Sequence, residues 1–308
     1  MIELFARSPG MREAARLAER VSSTDANVLI TGESGAGKDL LATFIHSQSR
    51  RAQHPFVKID CATLPGELLE AELFGYERGA FTGAVEAKAG RFEAADKGTV
   101  VLDEIAHLST DAQAKLLRVI ERREFERLGG RRTIKLDARV IALTNVDLDE
   151  AVKTGRFRED LFYRLNVLNI RVPPLRERKD DLSQLIEHFL KHYSAKHGRD
   201  VHRLSPEARV VLKAYDYPGN ARELANVVER AVIVANGKRV EAMDLPAGLS
   251  AAVSAQERKA KPQSLAQVEA DYIAATLVAT GGNKAECARI LGISRKNLYE
   301  KIARYRLK

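Results

Sequence analysis

The segment 32–39, with the sequence GESGAGKD, constrains the fold of this chain more than any other part of it. Its three glycines allow backbone angles that aim successive N–H groups at phosphate oxygens. Its lysine supplies a positive charge for the β- and γ-phosphates of a nucleotide. We therefore predict a nucleotide-binding loop made of Gly32, Glu33, Ser34, Gly35, Ala36, Gly37, Lys38 and Asp39.

The flanks of this loop have the pattern that phosphate binding requires. The apolar run 28–30 predicts a buried strand that ends at the loop. Apolar residues then recur at helical spacing from Leu40 to Ile45, so a helix begins where the phosphates would lie. Strand, glycine loop and helix in this order favour a P-loop over a chance match.

The first 174 residues alternate short apolar runs with helical patterns. The runs 56–59, 100–102 and 140–143 resemble 28–30, and a helix is predicted over 11–22. This alternation predicts an α/β fold, in which a parallel sheet is covered by helices on both faces.

After residue 174 the strand signals stop. Helical patterns at 180–197, 205–214 and 221–236 predict an α-helical subdomain, and small polar residues at 247–264 predict a flexible linker. The predicted organisation is therefore an α/β subdomain, an all-α subdomain, the linker and an all-α module, at 1–174, 175–246, 247–264 and 265–308.

The positive charge of the chain is concentrated near its end. Residues 252–308 hold 11 basic and 5 acidic groups, a net charge of +6, whereas residues 1–251 hold 39 and 37, a net of +2. Such asymmetry indicates contact with a polyanion, although a solvated basic face would give the same count.

The two cysteines, Cys61 and Cys287, have no metal-ligand spacing and indicate a reducing compartment without disulfides. No apolar run approaches the roughly 20 residues that cross a bilayer, and no signal peptide is evident. We therefore expect a cytoplasmic protein.

Two acidic residues follow the apolar run 100–102. Asp103 can hold Mg²⁺, and Glu104 can activate the attacking water. Asp39 stands where a P-loop usually has the Ser or Thr hydroxyl that binds Mg²⁺, so that ligand is absent or replaced by a carboxylate. An acidic helix start is the ordinary alternative, but a P-loop about 65 residues upstream favours the catalytic interpretation.

Further candidates for the nucleotide site come later in the chain. Asn145 follows the run 140–143 and could place an amide near the γ-phosphate. Arg158 and Arg164 lie in a dense mixture of cations and carboxylates, GRFREDLFYRL. Intrachain ion pairs are one interpretation. The other is an arginine finger that reaches a neighbouring subunit's nucleotide, which would make hydrolysis depend on ring assembly.

The segment 72–84, ELFGYERGAFTGA, has two open interpretations. Its glycines make it mobile, and a loop that exposes Phe81 and Thr82 would be a contact surface. A glycine-rich turn with a buried phenylalanine fits the same residues equally well.

Residues 283–306 predict a helix-turn-helix. Asn283 or its neighbour caps the first helix, Gly292 provides the tight turn, and Ser294 caps the second helix. The second helix would meet base edges with its first turn and phosphates with its later basic residues. The predicted DNA-contacting residues are Lys284, Ser294, Arg295, Lys296, Asn297, Tyr299, Lys301 and Arg304.

An apolar stripe precedes this motif, formed by Leu265, Val268, Tyr272 or Ile273, and Leu277. It either packs as core against the two helices of the helix-turn-helix or forms a dimer interface that places two such motifs on one palindromic DNA site. The two roles are compatible.

Taken together, the segments GESGAGKD, ELFG, GAFTGA, VLDEI, FREDLFYRL and YPGNAREL resemble the bacterial enhancer-binding proteins, AAA+ activators of the sigma-54 form of RNA polymerase. The resemblance runs from about Phe5 to the last residue, and GAFTGA is highly specific to that family. The segment 281–305 is similar to the Fis-type helix-turn-helix of these activators.

The resemblance implies an AAA+ P-loop domain with a helical lid and a Fis-type DNA-binding domain. It implies a hexameric ring that hydrolyses ATP with Mg²⁺ at subunit interfaces, with Arg158 and Arg164 acting in trans and Arg222 as a sensor in the lid. It also implies that the GAFTGA loop contacts sigma-54 and remodels the closed promoter complex of the holoenzyme bound near enhancer DNA. The residues implied for this contact are Gly79, Ala80, Phe81, Thr82, Gly83 and Ala84.

Three positions depart from the family's pattern. Asp39 replaces a usual Glu, and Ala36 replaces a usual Thr. Asp60 stands where many relatives have an Asn that holds the catalytic glutamate. A carboxylate there would repel Glu104 and tend to raise a pKa unless a cation intervenes.

The sequence starts almost at the ATPase core, without a sensory or receiver segment. We expect regulation in trans, by a partner protein or by abundance, with a trimmed chain as the alternative. Two other functions compete with sigma-54 activation: a DNA-binding regulator that keeps the AAA+ fold without motor function, and an unrelated AAA+ remodeller.

Overall fold

The computed structural model describes residues 4–249, 264–305 and 307. The chain divides into two compact units, Met1–Leu249 and Ser250–Lys308. Most of the predicted linker, residues 250–263, lies outside the described residues. The predicted linker began earlier, at 247, but residues 247–249 are helical, and Leu249 is buried with the lid residues.

A five-stranded parallel sheet forms the centre of the first unit. Its strands are β1 (Val28–Thr31), β2 (Phe56–Asp60), β5 (Thr99–Asp103), β8 (Arg139–Thr144) and β9 (Leu168–Arg171). Their order in the sheet is β2-β5-β8-β1-β9, so β1 lies between β8 and β9.

Alternating side chains of these strands enter two separate apolar clusters. Leu29, Val100 and Leu102 belong to one cluster, and their neighbours Ile30 and Val101 belong to the other. Because successive side chains of a strand point to opposite faces, each cluster lies on one face of the sheet. Burial on both faces explains why these strands are nearly continuous apolar runs. The predicted α/β architecture is confirmed.

Helices cover both faces of the sheet. The helix α1 begins at the cap Ser8, whose hydroxyl accepts a hydrogen bond from the Met11 N–H, and it starts with a proline, which suits a first helical position. The helices are α1 (Pro9–Ser22), α2 (Lys38–Ser47), α3 (Gly66–Phe74), α4 (Arg91–Ala94), α5 (Thr110–Arg122), α6 (Leu148–Lys153) and α7 (Glu159–Leu165).

Two short antiparallel hairpins are additions to this scheme that the sequence patterns did not predict. One pairs β3 with β4, and the other pairs β6 with β7. Their bounds are β3 (Gly75–Tyr76), β4 (Lys88–Ala89), β6 (Glu124–Glu126) and β7 (Thr133–Lys135).

The predicted helical subdomain, here called the lid, forms its own apolar cluster of leucines, valines and Tyr217. The expectation that strands stop after residue 174 is wrong in detail, because two-residue strands pair within the lid. The elements are α8 (Lys179–Lys196), β10 (Arg203–Leu204), α9 (Pro206–Ala214), α10 (Asn220–Val234) and β11 (Arg239–Val240).

The second unit contains the helices α11 (Leu265–Ala279), α12 (Lys284–Leu291) and α13 (Arg295–Tyr305). Asn283 caps α12, Gly292 ends it at φ +65°, and the Ser294 hydroxyl accepts a hydrogen bond from the Asn297 N–H. The capped helices on either side of a glycine turn are those of the predicted helix-turn-helix.

Within the described residues, no helix is both long and apolar enough to cross a membrane.

Candidate nucleotide and DNA sites

The loop 32–37 leaves β1 and enters α2 through three glycines, and two of them, Gly32 and Gly35, have little room for a side chain. A Cβ atom on Gly32 would lie 2.6 Å from the Val172 carbonyl oxygen, and one on Gly35 would lie 2.4 Å from the Gly219 carbonyl oxygen. Gly35 and Gly37 also have φ values of +72° and +102°, which favour glycine. The backbone can therefore turn tightly ahead of the helix N-terminus, as phosphate binding requires.

Lys38 lies at the start of α2 with its side chain almost fully buried. Its Nζ atom donates to the carbonyl oxygens of Gly32 (2.8 Å) and Glu33 (3.2 Å), and it lies 3.8 Å from Glu104 Oε1. Burial lowers the pKa of this ammonium. The loop thus folds around the lysine, and the charge is held where phosphates would meet it.

Asp103 is the last residue of β5 and Glu104 follows it, next to β8, because parallel strands bring their carboxyl ends to one edge of the sheet. Glu104 Oε2 accepts a hydrogen bond from the Asn145 backbone N–H at 3.2 Å. Glu104 has a left-handed backbone conformation, with φ +53°, which is unusual for a residue other than glycine. The predicted Lys38, Asp103, Glu104 and Asn145 therefore meet at one edge of the sheet, although Asn145 reaches Glu104 through its backbone.

Asp39 and Asp103 share one cation. The Lys58 ammonium lies 2.8 Å from Asp103 Oδ2 and also contacts Asp39. Two carboxylates that converge on one ammonium can converge on one Mg²⁺, which prefers oxygen ligands. Among the described residues, no three or more His, Cys, Asp or Glu side chains are grouped to hold a metal. The donor set fits Mg²⁺ bound by one or two carboxylates together with nucleotide phosphates.

Lys58 was not a predicted site residue. Its signal in the sequence is a single lysine inside the otherwise apolar run 56–59.

Among the described residues, no hydrogen bond or ion pair joins the Asp60 carboxylate to a cationic side chain. Its Oδ1 atom accepts a hydrogen bond from the Ala62 N–H at 2.9 Å, which closes the turn after β2. The neighbouring Cys61 is buried, and burial together with Asp60, Asp103 and Glu104 raises the pKa of its thiol to about 12. Carboxylates at the ends of β2 and β5 therefore both raise the pKa of this buried thiol.

The lid contacts the P-loop through several hydrogen bonds. Arg222 donates to the Ser34 hydroxyl at 3.0 Å, so the predicted sensor arginine reaches the loop. Asn220 is fully buried at φ +54°, and its amide nitrogen donates to Glu33 Oε2 and the Ser34 carbonyl, both at 3.0 Å. Its amide oxygen accepts from the Leu175 N–H at 2.7 Å.

Two further arginines join the lid to the loop. Arg176 makes two hydrogen bonds to the Glu33 carboxylate, at 2.6 and 2.8 Å, and together with Asn220 it lowers the pKa of Glu33 to about 2. Arg178 is buried and donates to the Ala36 carbonyl at 2.6 Å. Sequence reasoning missed Asn220, Arg176 and Arg178. For Asn220 a signal exists, since asparagine is among the few residues that tolerate positive φ, and it follows a glycine.

Arg158 and Arg164 make their side-chain ion pairs with acidic residues outside the P-loop. Arg158 pairs with Asp160 (2.7 Å), and Arg164 pairs with Glu121 (2.7 Å). These contacts match the ion-pair interpretation. The two arginine side chains are also 40% and 62% exposed, so the alternative role at a neighbouring subunit stays a prediction.

The hairpin of β3 and β4 carries the segment 77–87 at its end. Phe81 is 39% exposed, and its ring packs on Tyr76 with centroids 5.0 Å apart, while Thr82 is exposed. Gly79 and Gly83 have positive φ values, and a Cβ atom at either position would have no neighbouring atom within 4 Å. The loop therefore combines features of both interpretations: its aromatic ring is anchored by one neighbour and also faces solvent.

The backbone hydrogen bonds of this loop close it on itself. The Gly79 N–H donates to the Ala84 carbonyl, and the Ala84 N–H donates to the Phe81 carbonyl, at 2.8 and 3.0 Å. A second loop supports it from the side, since the Glu77 N–H donates to the Leu128 carbonyl at 2.9 Å, and a Cβ atom on Gly129 would lie 2.9 Å from the Ala80 Cβ.

In the second unit, the first turn of α13 presents exposed Arg295, Lys296 and Asn297, as predicted for a helix that reads base edges. Lys284 lies over the Tyr299 ring at 4.9 Å. Lys301 donates to Glu269 on α11 at 2.6 Å, and its predicted contact with phosphate stays a prediction. Arg304 is exposed and lies near the Tyr305 ring.

The apolar stripe of α11 divides between two environments. Ile273 and Leu277 are buried against Leu298 and other residues of the unit, whereas Val268 and Tyr272 are 47% and 62% exposed. The inner residues are therefore core, and the outer residues are available for a partner.

Three family models match consecutive parts of the chain. The sigma-54 interaction domain matches residues 4–171, the AAA+ ATPase lid domain matches 176–262, and the Fis-family bacterial regulatory protein matches 264–305.

Similar curated proteins are transcriptional regulators. The regulatory protein AtoC of Escherichia coli is 46% identical over 98% of this chain and 67% of its own length. The transcriptional regulatory protein FlbD of Caulobacter vibrioides is 45% identical over 98% of this chain and 70% of its own length. Among solved structures, NtrX from Brucella abortus in complex with ATP has a TM-score of 0.77 and 37% identity, covering 99% of this chain and 70% of NtrX.

Proposed function

The chain belongs to the family of sigma-54-dependent AAA+ transcriptional regulators with a Fis-type DNA-binding domain, and we propose that it uses ATP hydrolysis to open promoter complexes of sigma-54 RNA polymerase. The observation that carries the proposal is the combination of two features in one unit. Lys38, Asp103 and Glu104 meet at the P-loop, and the same unit exposes Phe81 and Thr82 on a glycine-hinged loop.

The nucleotide would lie along the loop 32–39, with its phosphates at the N-terminus of α2 and the ammonium of Lys38 against the β- and γ-phosphates. Its binding is supported by the ATP complex of the similar protein NtrX. Asp103, with Asp39 nearby, would hold Mg²⁺, which neutralises charge on the phosphates when bound. Arg222 would contact the nucleotide from the lid, since it already reaches Ser34.

Glu104 would act as the base that takes a proton from the attacking water. Its carboxylate is placed for this by two neighbours, the Asn145 N–H and the Lys38 ammonium. The Asp60 carboxylate accepts a hydrogen bond from the backbone of the turn after its own strand, so it is held away from the proposed role of an asparagine that positions Glu104.

Arg158 and Arg164 would complete the site from the neighbouring subunit of a ring, where an arginine stabilises charge that develops in the transition state. In the isolated chain they pair with Asp160 and Glu121. Assembly would therefore exchange these ion pairs for contacts with a nucleotide.

Residues 79–84, from Gly79 to Ala84, would form the surface that contacts sigma-54, with Phe81 and Thr82 at its tip. A γ-phosphate bound at the edge of the sheet would bias the position of this loop, and hydrolysis would release it. The second unit would bind enhancer DNA through α13, and the exposed Val268 and Tyr272 would pair two copies on one site. A regulatory protein acting in trans is a further expected partner.

The test of this proposal is open-complex formation on a sigma-54 promoter with purified protein and ATP. Permanganate reactivity of unpaired thymines should appear with ATP and be absent without it. ATP hydrolysis that never produces melting would instead support an AAA+ remodeller of another kind, and absence of both activities would support a DNA-binding regulator without motor function.

A Thr82→Ala variant refines the test. Its promoter opening should fall much further than its ATP hydrolysis, since Thr82 lies on the exposed loop and not at the nucleotide. A parallel loss of both activities would mean that the loop supports the fold of the ATPase unit.

A further inference from the structure

Lys58 brings to the nucleotide site a positive charge that the proposed mechanism does not use. It lies on β2 opposite Val101 of β5. Phe56 and Val101 belong to the apolar cluster that packs against α2, and alternation along the strands puts Lys58 and Asp103 on that same face. Asp39, the second residue of α2, borders this face as well. The geometry therefore brings the ammonium to both carboxylates.

We infer that Lys58 acts as a counter-ion within the proposed metal site. Its ammonium binds Asp39 and Asp103 when Mg²⁺ is absent and competes with Mg²⁺ for these two carboxylates. The inference rests on the proposed role of these carboxylates in holding Mg²⁺. It adds a residue that sets how much Mg²⁺ the site requires.

The two carboxylates need such a counter-ion. The other lysine of the site, Lys38, directs its hydrogen bonds to the carbonyl oxygens of Gly32 and Glu33. Lys58 contacts both Asp39 and Asp103, so it offsets the repulsion between two negative groups that lie close together.

Lys58 is also placed so that a metal can displace it. It lies on β2 at the edge of the sheet, and its side chain is 39% exposed. The Asp39 side chain is 47% exposed. A lysine has a flexible stem and a strongly hydrated charge, so its ammonium can move into water when a divalent cation takes the carboxylate oxygens.

Competition makes a directional prediction. A neutral residue at position 58 leaves both carboxylates free for the metal and removes a like charge beside it. Lys58→Met and Lys58→Gln should therefore bind the metal more tightly, with a half-saturating concentration lower by on the order of five-fold. Lys58→Arg keeps the charge and should not lower it.

The experiment measures metal binding with the full chain and without turnover. Fluorescent ADP is held at a fixed concentration, metal is removed with a chelator, and Mg²⁺ is titrated while nucleotide fluorescence is recorded. Bound Mn²⁺, counted by electron paramagnetic resonance in the presence of ADP, gives a second and direct readout. Lys196→Met is the matched control, because it removes a lysine that pairs with Glu229 on the lid.

The outcomes separate the inference from the proposed function. A lower midpoint in Lys58→Met or Lys58→Gln, with Lys196→Met unchanged, supports the inference. An unchanged or higher midpoint in the neutral variants overturns it and leaves the proposed function standing. If the unsubstituted protein binds ADP equally well with and without Mg²⁺ and holds no Mn²⁺, the proposed metal site itself is overturned. Circular dichroism identifies an unfolded variant, and the other neutral variant then decides.

Discussion

The Oε2 atom of Glu104 accepts a hydrogen bond from the backbone N–H of Asn145, across the ends of two neighbouring strands. The other oxygen of the same carboxylate lies 3.8 Å from the Lys38 ammonium. This arrangement orients the carboxylate between the loop that binds phosphates and the end of β8. This orientation supports the proposed role of Glu104 as the general base of the site.

Replacement of Glu104 by glutamine should therefore stop hydrolysis and spare nucleotide binding. The amide keeps the shape of the side chain but cannot take the proton, and loss of a positioned base costs about 10²- to 10⁴-fold in rate. Phosphate release and fluorescent-nucleotide binding measure the two properties. Turnover within a few-fold of the unsubstituted rate would remove Glu104 from the role of base.

The proposed sharing of a site between subunits predicts that two inactive variants rescue each other. Arg158→Ala lacks the trans-acting arginine, and Glu104→Gln lacks the base. In mixed assemblies, some interfaces combine an intact Glu104 with an intact Arg158, so hydrolysis should reappear on mixing. If Arg158 acts only through its ion pair with Asp160, the mixture will stay inactive.

Asn220 should contribute strongly to stability, because its side chain makes three hydrogen bonds and is fully buried. Asn220→Ala leaves the Leu175 N–H and the Ser34 carbonyl without these partners, which should cost about 3 kcal/mol in the free energy of unfolding. Urea denaturation measures this loss.

Asn220→Gly is the matched control for the backbone at this position. Glycine loses the same hydrogen bonds but accepts the positive φ, so it should be less destabilising than alanine by about 1 kcal/mol. Equal stability of the asparagine and glycine proteins would show that the side-chain contacts contribute nothing.

The ion pair of Glu33 with Arg176 predicts a dependence of stability on pH. Arg176, with Asn220, lowers the pKa of Glu33 from 4.5 to about 2 in the folded protein. A carboxyl group whose pKa is lower in the folded state stabilises the folded protein at pH values above its pKa in the unfolded chain. This stabilisation is lost as the pH falls from about 4.5 towards 2. Because both side chains are about 40% exposed, the effect should stay below about 1 kcal/mol.

A double-mutant cycle checks this pair. The difference in unfolding free energy between the unsubstituted protein and Glu33→Gln should shrink through this acid range. In the Arg176→Gln background it should be smaller, because the hydrogen bond from Asn220 is then the main contact that lowers the pKa of Glu33. An undiminished difference in that background would assign the effect to Asn220 instead.

The second unit predicts unequal roles for its basic residues. Arg295→Ala should weaken DNA binding by about 1–3 kcal/mol, because Arg295 is exposed on the first turn of α13. Lys301→Ala should weaken DNA binding less and lower the stability of the unit, because Lys301 pairs with Glu269. Fluorescence anisotropy at fixed salt, together with thermal unfolding, distinguishes the two. A larger affinity loss for Lys301→Ala would mean that this ion pair opens on DNA.

The sequence predicts the central strands and the edge strand β2, but it does not predict the other edge strand, β9, or the short hairpins. The strands β1, β5 and β8 are buried on both faces and are continuous apolar runs, which makes them recognisable. The edge strand β9 reads Leu-Asn-Ile-Arg, with Ile170 as its one buried residue, and its pattern was too short and too polar to identify. Hairpins of two or three residues leave still less of a pattern.

Within the site, the residues adjacent to predicted strands were found, and those brought in from the lid were mostly missed. Arg176 lies 143 residues from its partner Glu33, and Asn220 lies 187 residues from it. No local periodicity reports such contacts, because they depend on how the lid packs against the loop. Lys58 was missed for another reason: a lysine in a strand looks like an ordinary solvent-facing residue.

The hydrogen bonds that close the loop from Gly79 to Ala84 bear on how force is transmitted. The backbone groups of this loop bond within it, and the Val85 N–H also donates to the Gly83 carbonyl at 2.9 Å, so the loop resists deformation. A Cβ atom on Gly79 or Gly83 would meet no neighbouring atom within 4 Å. Under the proposed function, a stiff loop of this kind would pass on to a partner the movement of its base, where the Leu128 carbonyl accepts a hydrogen bond from the Glu77 N–H and the Tyr76 ring contacts Phe81.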